Sequence, residues 1–201
     1  MPKRGLTKES VLDAAEELVT QYGADSLTTG ALAAKLGIKP ASLYNHMEST
    51  EELKIALAMR AIHALADALT AAAENRTREE AIYALADAYR TFVQNAPGLY
   101  QLILMTPMSG DGTLTAALPN MVRPIVSLLD QFTLTEEEKN HWQRVLRTVM
   151  HGFSTQELWG YFSHNTADRD ESYRLAVRTV LTGILNAEQH NRHSQGGNGI
   201  L

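Results

Sequence analysis

Residues 27–53, LTTGALAAKLGIKPASLYNHMESTEEL, decide the fold. Their spacing predicts two short helices joined by a tight turn, with a longer helix starting directly behind. Small Ala33 lets the two helices approach closely, Gly37 can take the positive φ that ends the first, and Leu43 drops into the crease between them. Leu32, Leu36 and Ile38 add apolar surface, and the Thr28 hydroxyl can cap the first helix. Pro40 stands in the first turn of the second helix, about residues 40–46, where a missing N–H leaves no bond unmade. A helix that short is unstable alone, so its neighbours must hold it. It turns Lys39, Ala41, Ser42, Tyr44, Asn45 and His46 outward.

The rest of the chain reads as helix. Thr7 precedes Val11, Leu12, Ala15, Leu18, Val19 and Tyr22 at helical spacing, and Gly23 ends that stripe. Capping-box signatures at Ser49-Thr50-Glu51-Glu52, Thr77-Arg78-Glu79-Glu80 and Thr135-Glu136-Glu137-Glu138 each open a helix. The first runs to about Ala73 as an Ala-rich strut, the second breaks at Asn95-Ala96-Pro97-Gly98, and the third reaches about Phe162. A short apolar helix covers 99–105, another around 114–129 bends or restarts at Pro124, and the last long helix spans about 169–189. The polar loop 106–115 contains Gly110-Asp111-Gly112-Thr113, which lacks the complete spacing of a phosphate or calcium loop. The expected architecture is all-α, nine helices and no strand, divided as 1–52, 53–192 and a flexible Gly/Asn/His-rich tail, 193–201.

Composition sets outer limits. A length of 201 residues suffices to bury a core, and 44% hydrophobic with 20% charged residues fits a soluble globular chain. The absence of cysteine excludes disulfide and thiol chemistry. No segment is read as a membrane span, and the start, MPKRGLTKES, lacks the apolar core of a signal peptide, so the cytoplasm is expected. The net charge of −5 is unevenly placed. Residues 1–47 balance Lys3, Arg4, Lys8, Lys35 and Lys39 against Glu9, Asp13, Glu16, Glu17 and Asp25. From Ser26 to Met47 there is no acid, so the outward face of the short helix is expected to be locally positive, with Lys3 and Arg4 on a basic arm ahead of it.

The run Thr28-Thr29, Ala33-Ala34-Lys35-Leu36-Gly37-Ile38, Ser42-Leu43-Tyr44-Asn45-His46 and Glu52-Leu53 resembles the helix-turn-helix of TetR/AcrR-family transcriptional regulators, over about residues 6–57. Its specific part is the Leu-Tyr-x-His element after the turn glycine. Met150-His151-Gly152-Phe153, with Glu157, Gly160 and Phe162, resembles the motif of the WHG-type C-terminal domain of one branch, without the tryptophan that usually precedes the histidine. The resemblance implies an N-terminal three-helix DNA-binding domain joined to a larger helical ligand-binding and dimerisation domain. It implies a homodimeric repressor on a palindromic double-stranded operator, released by a small-molecule effector, with no cofactor, metal or membrane partner. A weakly basic head on an acidic body suits a protein that touches few phosphates and binds well only in pairs.

Carried over by position, Thr28 and Thr29 meet the phosphate backbone, and Ser42, Tyr44 and His46 supply backbone or base-edge contacts. Lys39, Pro40, Ala41 and Asn45 sit where relatives vary to set sequence preference. Asn45 can pair bidentately with adenine and Ala41 can touch a thymine methyl. Gly30 and Thr50 stand where relatives often carry a basic residue, which should either lower affinity and its salt slope or hand the phosphate contacts to Lys54 and the N-terminal arm. For the effector, Tyr89, Phe92, Tyr100, Leu104, Met105, Met108, Trp142 and His151 offer aromatic, thioether and imidazole surface suited to an apolar or aromatic molecule. For the dimer, the two last long helices carry Trp142, Val145, Leu146, Val149, Met150, Phe153, Leu158, Trp159 and Phe162, and Tyr173, Val177, Val180, Leu181, Ile184 and Leu185. Gly152, Gly160 and Gly183 would permit close approach, giving a four-helix bundle between two chains.

Two other classes fit less well. Gly152-Phe153-Ser154-Thr155-Gln156 lacks the second glycine and the preceding strand of a nucleophile elbow, and His190 with His193 is a weak metal pair, so an enzyme is not expected. A helical adaptor that has lost DNA binding would explain Gly30 and Thr50, but the intact face at 42–46 argues against it.

Overall fold

A computed structural model describes residues 6–106, 113–164 and 166–196. The basic arm, Met108 with the rest of loop 107–112, and residues 197–201 lie outside the described residues. Among the described residues the chain is nine α-helices and one 3-10 turn, without a strand. They pack as two compact units, Met1–Ala64 with Asn95–Pro119, and Leu65–Gln94 with Asn120–Leu201.

In the first unit, α1 (Lys8–Tyr22) starts in a reciprocal cap. Ser10 N–H donates to Thr7 Oγ1 at 3.1 Å and Thr7 N–H to Ser10 Oγ at 2.9 Å. Its inner stripe is Val11, Ala14, Ala15, Leu18 and Val19. Tyr22, expected on that stripe, is 65% exposed, because the helix ends there and nothing packs over its last residue. After the 3-10 turn Ala24–Ser26, α2 (Thr29–Leu36) is capped by the Thr28 hydroxyl and ended by Gly37 in the left-handed region, φ 67°. The next helix, α3, is only Pro40–Leu43. A tight turn replaces its expected second half, with His46 and Met47 N–H both donating to Leu43 O, at 2.8 and 3.1 Å. Leu43 is wholly buried, Ala33 on α2 is 1% exposed, and Met47 is buried as a second anchor.

The third helix of the head opens α4 (Thr50–Ala73), where Glu52 N–H donates to Ser49 Oγ. By length and composition α4 could cross a bilayer, contrary to the sequence expectation that no segment could. Its apolar residues are core instead: Leu53, Leu57, Ala61, Leu65 and Leu69 recur every four residues and are buried. Arg60 sends its guanidinium to Glu9, to Asp13 at 2.8 Å and to Glu16 at 2.6 Å, an acidic row at i, i+4 and i+7 on α1. The helix α6 (Pro97–Met105) closes this unit by laying Gly98 on α1, where an added Cβ would lie 2.5 Å from Val19 O.

In the second unit, α5 (Arg78–Asn95) follows Thr77, whose hydroxyl donates to Glu80 at 2.7 Å. From Asn120 on, α7 (Thr113–Leu129) also belongs to this unit, and it runs without a break at Pro124. The long α8 (Glu136–Leu158) begins in a reciprocal cap of Thr135 with Glu138 and stops short of Phe162. Gly160, at φ 75°, turns the chain so that Tyr161 N–H reaches back to Gln156 O at 3.0 Å. That glycine therefore serves as a helix stop within the chain. Gly183, on α9 (Arg169–Gly196), does permit close approach, since its Cβ position lies 2.3 Å from the Trp142 ring. The last helix outruns residue 189 because Glu188 pairs with Arg192, and Asn191 donates to Thr133 O at 3.1 Å and to Glu138 at 2.7 Å.

Two charge clusters fasten this unit. Arg90 forks onto Glu157 at 2.6 and 2.7 Å, reaches Asp170 at 2.8 Å, and lies beside the Phe153 and Tyr173 rings. The Tyr173 hydroxyl donates to Ala86 O at 2.7 Å. Elsewhere Glu188, buried, takes Arg78, Arg192 and the Thr133 N–H. Burial pushes the Glu188 carboxyl up, but the Thr133 N–H and Arg78 outweigh it and hold its pKa at about 2.

Two outcomes follow for stability. Gly98→Ala forces α6 off α1 and is expected to cost about 1–3 kcal/mol in urea unfolding. Because Glu188 has its pKa lowered by folding, its contribution is complete above the ordinary carboxylate value of 4.5 and is lost as pH falls toward 2. Glu188→Gln should therefore lower stability by about 2 kcal/mol at neutral pH and flatten the wild-type decline between those two pH values, read by denaturant melts across pH.

Candidate nucleic-acid interface

The short α3 segment is held from beneath and open above. Leu43 and Met47 are its buried anchors, and the residues flanking and between them are Lys39, Pro40, Ala41, Tyr44 and Asn45, all exposed. Tyr44 keeps 58% of its surface free, so its hydroxyl is available to an outside partner. Ser42 and His46 are half-buried. His46 lines a crevice with Lys8, Val11, Leu12, Met47 and Leu53. Thr28 is exposed but its oxygen already accepts from Ala31 N–H at 3.1 Å, leaving the hydroxyl proton for another acceptor. Thr29 Oγ1 lies 3.2 Å from Thr50 Oγ1, tying the start of α2 to the start of α4.

Packing changes the electrostatics that the local sequence suggests. Residues 26–47 contain no acid, yet α1 brings Glu17 to within 2.8 Å of Lys35. Lys8 meets Glu52 at 2.5 Å, Lys54 lies 3.8 Å from Glu51, and Arg60 is occupied by three carboxylates. Among the described residues of this unit, Lys39 is the cation that makes no ion pair with another described residue. The Lys8 hydrogen bond, then the Glu48 N–H, hold the Glu52 carboxyl below its usual range, and the same bond raises the Lys8 pKa. Glu16, then Asp13, raise that of Arg60. Among the described residues the face is thus mainly one of hydroxyls, an amide and backbone, with a single unshared ammonium.

The sequence names Glu52 only as a capping and motif residue, and does not single out Lys8 or Arg60 as an ion-pairing residue of this unit. The signals were there: Ser49-x-x-Glu52 marks a carboxylate near the exit from α3, and Glu9, Asp13 and Glu16 mark one acidic face of α1.

The residues expected around an effector divide between the two units. Tyr100, Leu104 and Met105 belong to the first, with Tyr100 buried and the other two 42% and 58% exposed. Tyr89, Phe92, Trp142 and His151 belong to the second. There Tyr89 is buried, Phe92 half-buried, and Trp142 lies on Gly183. His151 is half-buried with Thr155 Oγ1 3.5 Å from Nδ1, and burial, then Arg147, lowers its pKa. Two deeply buried polar atoms on α8, Gln143 Oε1 and Ser154 Oγ, have no hydrogen-bond partner among the described residues. Open polar grooves of about 300 and 390 Å³ lie beside Arg90, one lined by Asp87, Thr91 and Arg174, the other by Glu157, Asp168 and Arg169.

Sequence and structure comparisons agree on relatives. Residues 11–57 match the family described as bacterial regulatory proteins, tetR family, and residues 82–180 match the tetracyclin repressor-like C-terminal domain. An uncharacterized HTH-type transcriptional regulator of Mycobacterium tuberculosis, Rv0681, is 32% identical over 96% of this chain and 85% of its own length. YobS of Bacillus subtilis, likewise an uncharacterized HTH-type transcriptional regulator, is 30% identical over 92% and 95%. A TetR variant of Acinetobacter baumannii, solved in complex with minocycline, has the same fold, with a TM-score of 0.68 at 20% identity over 92% of this chain and 99% of that one.

Proposed function

This chain belongs to the tetR family of bacterial regulatory proteins, as a transcriptional regulator with a DNA-binding and a ligand-binding domain, and on that premise we propose that it is a homodimeric repressor. It occupies a palindromic operator in the cytoplasm and leaves it when a small apolar or aromatic molecule enters the C-terminal domain. The observation that carries the DNA half of this reading is the arrangement of α3. A four-residue helix has been given two buried anchors, Leu43 and Met47, while Tyr44 and Asn45 between them stay exposed. In this reading Lys39, Pro40, Ala41, Ser42, Tyr44, Asn45 and His46 face the major groove. Thr28, Thr29 and Lys54 meet phosphates on either side.

Dimerisation is supported by what α8 leaves uncovered. Only Gln143, Leu146, Met150, Ser154 and Thr155 of that helix are buried. Val145 is 42% exposed, and a Cβ on Gly152 meets nothing within 4 Å among the described residues. On α9 the apolar row Tyr173, Val177, Val180, Leu181 and Ile184 is already buried within the chain, so α9 would bring its outer row around Leu175 and Thr179. The effector half is supported by the minocycline complex of the Acinetobacter relative and by the aromatic residues of the second unit.

Tyr44→Ala is expected to leave the melting temperature unchanged and to weaken binding to the promoter beside its own gene at least about tenfold in fluorescence anisotropy. Unchanged binding would mean that α3 is not the reading element. A side chain begins at Gly152 without meeting a described residue at its Cβ, so Gly152→Leu should keep the helical circular dichroism while sedimentation shifts from dimer to monomer. A persisting dimer would place the interface elsewhere.

A further inference from the structure

One carboxylate holds the exit of the reading segment. Glu52 Oε1 accepts from Lys8 Nζ at 2.5 Å, its Oε2 accepts from Glu48 N–H at 2.7 Å, and its own N–H donates to Ser49 Oγ at 3.0 Å. Lys8 is the first residue of α1, and Glu48 follows the buried anchor Met47. Glu52 therefore links the start of α1 to the point where the chain leaves the turn that carries Tyr44 and Asn45. His46 and Met47 line the crevice under the same pair. The Lys8 side chain is 72% exposed and that of Glu52 is 30% exposed, and a pair so wet adds little to global stability. Its geometry nonetheless restrains a segment with few other restraints. After Leu43 the turn is held by the two bonds to Leu43 O, by a longer Asn45 bond to Ser42 O, and by Met47.

We propose that Glu52 is a positioning residue for DNA selectivity: by bridging Lys8 and the Glu48 amide it fixes the angle at which Tyr44 and Asn45 are presented, and it keeps the Lys8 ammonium from acting as an indiscriminate phosphate contact. The inference rests on the DNA-binding reading of residues 42–46. It separates two quantities that a merely structural residue would move together. Loss of the bridge relaxes the reading angle, so selectivity falls whichever partner is removed. Loss of the carboxylate alone frees a cation and strengthens contact with any duplex, whereas loss of the ammonium alone leaves an unpaired acid that weakens it.

The test uses full-length Glu52→Gln and Lys8→Met, with Lys8→Arg as the variant that retains the pair. Anisotropy is read on two probes, a duplex that the wild-type protein has selected from a randomised pool and a scrambled duplex of the same composition. Both removal variants are expected to lose about tenfold in the ratio of selected to scrambled affinity. On the scrambled duplex they should diverge: Glu52→Gln binds more tightly, with a salt slope steeper by about one per head, and Lys8→Met binds more weakly. Lys8→Arg keeps the wild-type ratio. A ratio unchanged in both removal variants overturns the proposal, as does a loss of selectivity matched by a fall in melting temperature. A wild-type protein that selects no duplex removes the DNA-binding reading itself, a different failure, visible before any variant is made.

Discussion

The burial of Leu43, where α3 packs on α2, is the interaction on which the head depends. A helix of four residues has no stability of its own, since the first hydrogen-bonded turn fixes several dihedrals for a single bond. The two hydrogen bonds that the following turn makes to Leu43 O cannot make up that deficit. Apolar burial on both sides of the turn does, because Leu43 and Met47 point down and cannot exchange places with Tyr44 or Asn45 without exposing a leucine and a methionine. The sequence of α3 therefore specifies a direction as well as a shape. What remains outside, among the described residues, is a hydroxyl, an amide and one ammonium.

Charge is managed by the same packing. Helix α1 serves the head as a wall and also as a source of carboxylates. Glu17 goes to Lys35, and Glu9, Asp13 and Glu16 go to Arg60. The Arg60 cluster fixes α4 against α1 with one guanidinium, whose five donors suit several acceptors at once. A surface on which cations are already paired attracts phosphate weakly and over a short range, so discrimination must come from hydrogen bonds made at close quarters.

How much of this was legible in the sequence depended on the range of the interaction. The caps at Thr7, Thr28, Thr77 and Thr135, the turn at Gly37 and the core role of Leu43 are decided within four residues, and each was readable. The reach of α3 was overestimated because the pattern from Pro40 to His46 stays helical in spacing, while the chain turns after Leu43 to bring Met47 inward. The α8 stop at Gly160 was missed for a related reason: an apolar row continuing to Phe162 looks like helix until a glycine takes positive φ. The pairing of Lys35 with Glu17 and of Lys8 with Glu52 lies beyond local reading, since residues 18 and 44 positions apart meet only once α1 has packed. Composition gave the opposite impression, a stretch free of acid.

This also bears on why such a head would work in pairs. If the described residues of each copy bring one unshared lysine and a handful of hydrogen bonds, their electrostatic contribution to affinity is small, and one copy alone discriminates only among the few base pairs under Tyr44 and Asn45. Joining two copies makes the second binding event intramolecular, at an effective concentration far above that of free protein. On the proposed reading, the apolar surface that α8 leaves open and the sparse charge of the head are then two sides of one arrangement. A strongly basic head would bind duplex as a monomer and gain little from a partner. A head with its cations already occupied needs the second copy, and so gives any molecule that alters the spacing of the two copies a large effect on DNA occupancy.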